Sequence, residues 1–197
     1  MCRRRSDASL WVALVLGVLL LLAPVGEAAD LKISNLVVTN SDKSLMVQAV
    51  LLGALPEGLV EGLETGIPAV VRFQVELWQY NTFWVDRRIA AKVVERQVHY
   101  DILTKEYRVT AVQGESREPY VTRDLWEAKR VISELRALHL APIDLLKLEN
   151  LYYVRLRAEI RPATPEPSLT KLLPPFLSSG VETSWEKSPL LTMSRQR

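Results

Sequence analysis

The segment Leu77–Arg88 reads LWQYNTFWVDRR. It places Trp78, Tyr80, Phe83 and Trp84 within seven residues and follows them with Asp86, Arg87 and Arg88. Aromatic rings beside guanidinium groups suit contact rather than bond-making. Trp, Tyr and Arg are enriched at the anchoring points of protein interfaces, and Trp and Tyr gather where a bilayer meets water. The segment is therefore a candidate binding element for an envelope protein or a membrane surface. A structural reading stands beside it: Phe83 and Trp84 fold back over the end of a sheet, and Asp86 pairs with a neighbouring arginine to fix a turn.

Bond-making chemistry finds less support. The sequence contains no G-x-S-x-G, no Gly-rich phosphate loop and no H-E-x-x-H. Glu76, Asp86 and Asp101 are the carboxylates that could serve a hydrolytic site, but spacing does not rank them, and each reads as an ordinary strand or turn residue. His99 precedes Tyr100 and Asp101 in a strand pattern, and His139 ends a helical pattern on its apolar face. They read as a surface and a helix-terminal histidine rather than a metal pair. No catalytic residue, metal ligand or cofactor is assigned.

The elements that must carry these residues follow from periodicity. Residues 31–39 and 45–52 are apolar or β-branched runs joined by Asn40-Ser41-Asp42-Lys43, which predicts a hairpin. Pro56 to Gly66 predicts a short helix with Leu59, Val60 and Leu63 on one face, stopped by Gly66 and Pro68. Residues 69–80 alternate strictly. Val71, Phe73, Val75 and Leu77 point one way and Arg72, Gln74, Glu76 and Trp78 the other, as in a strand with one buried and one wet face. Residues 89–99 form a second strand with a muddled pattern, and the adjacent Val93 and Val94 suggest a bulge.

Residues 106–112 alternate again, and a polar loop runs from Gln113 to Glu118. The spacing of Leu125, Ala128, Ile132, Leu135 and His139 predicts a long helix over 123–139. Thr122 caps it, Val121 and Trp126 form a staple, and Pro142 ends it. Residues 151–161 predict a last strand, with Tyr152, Val154, Leu156, Ala158 and Ile160 inward. Its outward row of Arg155, Arg157 and Arg161 reads as a solvated face or a patch for an acidic partner. Pro162, Pro165, Pro167, Pro174 and Pro175 then mark a linker or irregular arm in which Trp185 is placed to dock back on the domain.

The chain starts Arg3-Arg4-Arg5, followed by the uncharged run Leu10–Ala23, Pro24, Gly26 and Ala28-Ala29. Basic, apolar and small-residue regions in that order make a secretory signal peptide. The run of about fourteen residues is short of the roughly twenty a spanning helix needs. Two fates are open: cleavage after Ala28, or retention as an inner-membrane anchor. Either way the remainder folds outside the cytoplasm, in the periplasm. Cys2 precedes the apolar run, so it cannot be a lipoprotein cysteine. It is also the only cysteine in the chain, so residues 29–197 have neither disulfides nor thiolate ligands.

Of the chain's 25 Lys+Arg and 23 Asp+Glu, residues 1–28 hold Arg3, Arg4, Arg5, Asp7 and Glu27. The remaining 169 residues carry a net charge of only +1. That is too little basic character for nucleic-acid binding. The expected organisation is a signal peptide over 1–28, one globular domain over 29–162 and a Pro-rich C-terminal arm over 163–197.

Four motifs carry a resemblance. They are Gly66-Ile67-Pro68, then Glu76-Leu77-Trp78, then W-x-D-R-R (Trp84 to Arg88), then Y-D-x-L-T-x-x-Y (Tyr100, Asp101, Leu103, Thr104, Tyr107). With the late Trp185, they make residues 30–190 resemble the bacterial exported family called domain of unknown function 4390. The resemblance implies an exported bacterial protein. The family carries no established activity, so it lends no catalytic residues.

The element order β-β-α-β-β-β-α-β with short connections predicts an α+β, mostly β fold. The expected architecture is an antiparallel sandwich-like or curled sheet of about six strands with one long and one short helix. The function expected first is a non-enzymatic interaction module of the cell envelope, with no nucleic-acid partner. The alternatives are a periplasmic carrier of a lipid or other apolar ligand, suggested by the two apolar faces of 45–52, and a hydrolase using Asp86 or Asp101.

Overall fold

The computed structural model describes residues 31–163 and 180–192, with the exception of Asp42. The expected signal peptide, the prolines from 165 to 175 and the last five residues lie outside the described residues. The fold is α+β and mostly β. Strands β1 (Lys32–Asn40) and β2 (Ser44–Leu52) form the expected hairpin, and α1 (Glu57–Glu64) follows. Next come β3 (Ala69–Tyr80), β4 (Arg87–Asp101), β5 (Glu106–Gln113) and β6 (Tyr120–Thr122). After α2 (Leu125–Ser133) come β7 (Glu134–Pro142), a single 3-10 turn at Ile143–Leu145 and β8 (Leu151–Pro162). Three short strands, β9 (Val181–Glu182), β10 (Glu186–Lys187) and β11 (Leu191–Thr192), pair along β8.

All the pairings are antiparallel, in one sheet of three strands ordered β1-β2-β7 and one of eight whose central path is β10-β8-β3-β4-β5-β6. The apolar faces of both sheets meet in one core. β2 gives it Leu45, Val47, Ala49 and Leu51, β3 gives Val71, Phe73, Val75 and Leu77, and β8 gives Tyr152, Val154, Leu156, Ala158 and Ile160. Each Val, Leu, Ile or Phe among them contributes about 1.5–3 kcal/mol when fully withdrawn from water. The inward rows read from the sequence of β3 and β8 are buried as rows, while Val70, Glu76 and Tyr153 on the other faces are buried too. The apolar excess of β2 that suggested a carrier is, on one face, core packing.

The long helix is where the structure departs furthest from expectation. α2 stops at Ser133, and residues 134–142, His139 included, form a strand paired with β2. The reason lies in a bulge. Leu138 sits opposite Val47 and Leu135 opposite Ala49, so Arg136 and Ala137 together face the single residue Gln48. Ala137 takes the left-handed conformation, with φ 46°, to allow this. A bulge of that kind turns two residues three apart toward the same face, which is also the helical period. The helix start shifts as well. Asp124, not Thr122, is the cap, its carboxylate accepting from the Trp126 N–H at 2.8 Å. Val121 and Trp126 are both exposed rather than stapled.

The expected irregularity in β4 is present but displaced. Val93 and Val94 pair in register with Gln74 and Phe73, whereas Ile89 is the extra residue against β3 and Val112 the extra residue in β5. Just beyond Val112, Gly114 has φ +82°, and a Cβ placed there would lie 1.9 Å from the Val93 carbonyl oxygen. Gly114→Ala should therefore lower stability by roughly 2 kcal/mol, since both the backbone angle and the approach to β4 reject a side chain. A urea titration of the variant checks this; an unchanged midpoint would mean that the loop after β5 does not need that close approach.

Candidate functional site

The β3–β4 connection, Asn81–Asp86, is braced at its base. One carboxylate oxygen of Asp86 accepts from the Asn81 N–H at 3.0 Å, and the other accepts from the Tyr153 hydroxyl at 2.8 Å. The Asn81 side-chain amide donates to the Val85 carbonyl at 3.1 Å. The Asn81 and Tyr153 bonds hold the Asp86 carboxyl below its ordinary value, with a small contribution from the charge of Lys187. Tyr153 is buried at its foot, and burial, with the Asp86 acceptor and its charge, pushes its hydroxyl up to about 12. With the base closed, the intervening residues project outward. Phe83, Trp84 and Val85 are 90%, 84% and 89% exposed. They do not fold back over the sheet, and Asp86 binds a tyrosine and a backbone amide rather than an arginine.

The seven residues singled out in this segment divide into two groups. Tyr80, Phe83, Trp84 and Arg87 lie at or beside the tip, with Asp86 as its brace; Arg87 donates to the Gln79 side chain at 3.2 Å. Trp78 and Arg88 instead belong to a cluster on the outer face of the large sheet. Its centre is Glu76, expected to be solvated but only 2% exposed. One oxygen of Glu76 accepts from Arg155 at 2.7 Å and from the Trp78 indole N–H at 2.8 Å, and the other accepts from Arg88 at 3.2 Å. The Arg155 guanidinium carbon lies 4.3 Å from the centre of the Trp78 ring and 4.4 Å from that of Trp185. Trp185 thereby docks on the domain, holding β9 and β10 to the edge of β8.

The outward arginines of β8 are already partnered within the chain. Arg157 pairs with Glu182 at 2.6 Å, and Arg161 lies 3.7 Å from Glu95. Asp101 closes the turn after β4, accepting from the Leu103 and Thr104 N–H groups at 2.9 and 3.1 Å. Asp86 and Asp101 flank opposite ends of a fifteen-residue strand, roughly 45 Å long at the usual rise. They do not assemble into a hydrolytic pair. His99 and His139 lie on different sheets, and His139 is exposed and bonded to Ser44. Among the described residues no three His, Cys, Asp or Glu side chains come together in a group that could hold a metal ion.

Sequence reasoning missed Arg96. Its side chain is 1% exposed and points into the core between Val94 and Val98. It pairs with both oxygens of Glu115 through the Nε–Nη2 edge of its guanidinium, and its Nη1 donates to the Val131 and Glu134 carbonyls at the end of α2. The clue was its position: in a strand of period two, residues 94, 96 and 98 share a face.

The family model for the domain of unknown function (DUF4390) matches residues 28–187. The chain belongs to the DUF4390 family. No curated protein and no solved structure matches it. In this DUF4390 domain the motifs behind the resemblance have visible structural work. Gly66, at φ +88°, lets the chain leave α1 through bonds from Gly66 N–H to Leu63 and from Ile67 N–H to Gly62. W-x-D-R-R supplies the tip, its brace and one partner of Glu76. Tyr100 and Tyr107 stack with ring centres 4.7 Å apart above the Asp101 turn.

Proposed function

We propose that the protein is a non-enzymatic interaction module of the cell envelope, exported to the periplasm, which makes its contacts through the β3–β4 tip. The observation that carries this reading is the run of three consecutive exposed apolar side chains on a loop whose base is fixed. Aromatic side chains are large, rigid contact surfaces, and burying each against a partner is worth about 1.5–3 kcal/mol. Because the brace holds the tip in place beforehand, little of that is lost to ordering on binding. The carboxylates that might have run hydrolysis are each engaged elsewhere: Glu76 in an ion cluster, Asp86 in the brace, Asp101 in a turn.

A photoactivatable benzoylphenylalanine at position 84 tests the reading in intact cells. Adducts are expected there and at position 83. They are not expected at Leu103, which is 94% exposed on the turn after β4. Equal labelling at 84 and 103 would show that exposure alone, not the tip, governs contact.

A further inference from the structure

Beside the tip lies a groove of about 410 Å³, opening between the β3–β4 loop and the turn that follows β7. Its size is within the range of small-ligand sites. Trp84 and Leu145 form its apolar lip, Arg87 and Lys147 bring two exposed cations to it, and the Asn81 and Asn150 side chains add amides. The turn that carries Lys147 is anchored, because the Lys147 N–H donates to the buried Tyr152 hydroxyl at 2.8 Å. Asp86 is near, but both its oxygens are occupied by Asn81 and Tyr153. Asp144 and Glu149 belong to the same turn but do not line the groove.

We propose that this groove is a headgroup site for an anionic phospholipid, with Phe83, Trp84 and Val85 entering the bilayer interface beside it. The inference rests on the reading of the tip as the contact element and names its partner. Layering favours a lipid over a peptide. The outermost residues are aromatic and aliphatic. Behind them, Asn81 and Arg87 at the base of the loop share the groove with Lys147 and Asn150, and this guanidinium, ammonium and pair of amides match a phosphodiester and its glycerol. Apolar side chains at the acyl boundary with cations at headgroup depth are how peripheral proteins hold anionic membranes. Leu145 and Leu148, also exposed, widen the apolar surface next to the groove.

The test is vesicle flotation of the protein purified from the periplasm, every variant carrying the same N-terminus. Vesicles of phosphatidylglycerol in phosphatidylethanolamine are compared with phosphatidylcholine vesicles, and inorganic phosphate is titrated separately by calorimetry. Wild type should prefer the anionic vesicles. Trp84→Ser should weaken binding to both kinds at least tenfold. The double variant Arg87→Glu, Lys147→Glu should lose at least tenfold on anionic vesicles only, with its melting temperature unchanged.

Equal binding to both vesicle types that ignores the charge reversal would overturn the headgroup site. So would tight binding of inorganic phosphate without vesicle binding, which would make the ligand a soluble phosphate. Absence of vesicle binding while position 84 still crosslinks to a protein in cells would remove the lipid inference and leave the interaction module standing. Loss of both would remove the two together.

Discussion

Replacing Arg96 with alanine is expected to destabilise the domain by about 3–5 kcal/mol, a large share of the stability of an ordinary domain. The guanidinium serves two partners at once. Glu115 receives two of its nitrogens, one at 2.8 Å, and the carbonyls at the end of α2 receive the third, Val131 at 3.1 Å. The last carbonyls of a helix lack partners of their own, and here the chain goes straight into β7 without a glycine cap. Alanine takes the buried donor away from those carbonyls and leaves the half-buried Glu115 carboxylate without its two-bond partner. It also leaves a cavity between Val94 and Val98.

Arg96→Lys should recover only part of the loss, because an ammonium cannot serve the carboxylate and the helix end with the same fixed fork. Chemical denaturation of the three proteins measures this. Equal midpoints for wild type and Arg96→Ala would show that water takes over every one of these bonds.

The second large effect is expected at Glu76. Alanine there should cost about 3 kcal/mol, since it leaves Arg155 and Arg88 without their shared anion. Both arginines keep some access to water, which places this below the effect at Arg96. The consequence spreads to the C-terminal strands. Arg155 is held by Glu76 while it stacks on Trp185, so hydrogen exchange in residues 181–192 should accelerate in the variant before the core opens.

Acid should act in the same direction. Burial raises the Glu76 carboxyl, but the bonds from Arg155 and Trp78, the charge of Arg155 and the bond from Arg88 outweigh it and hold the carboxyl below its ordinary value. Burial likewise raises the Glu115 carboxyl, and the bond and charge of Arg96, with the charges of Arg117 and Lys92, together outweigh it and hold the carboxyl below its ordinary value. A carboxyl whose folded value lies below its unfolded one gives its full stabilisation above the ordinary carboxylate range and loses it as pH falls through the lowered folded value. The advantage of wild type over Glu76→Gln should therefore be constant near neutrality and shrink below about pH 4. A constant advantage down to pH 2 would assign the role of Glu76 to packing rather than charge.

How much was legible in advance differs by element. The inward rows of β3 and β8 are strict alternations, and each row is buried as read. The β1–β2 hairpin and α1 carry their own turn and stop residues. Residues 134–142 misled because the Ala137 bulge puts Leu135 and Leu138 at helical spacing. Arg96 was masked because a charge at an inward position breaks the apolar row that identifies a buried strand face. In the candidate site, the sequence singled out the stretch 78–88 as one unit and could not divide it. Trp78 and Arg88 turn to Glu76, while Phe83, Trp84 and Arg87 stay with the loop.

What the sequence determined by itself was local: strand and helix periods, turn chemistry, an apolar N-terminal run behind three arginines, and the family, through motifs at fixed spacing. Those properties depend on residues within a few positions of one another along the chain. Tertiary structure decided which polar groups are buried and which aromatics are not. Glu76 is enclosed because Arg155 arrives from a strand 79 residues away. Trp84 is exposed because Asp86 spends its carboxylate on Asn81 and on Tyr153, which is 67 residues distant. Burial is set by what packs against a side chain, and those neighbours are chosen by the fold rather than by sequence proximity.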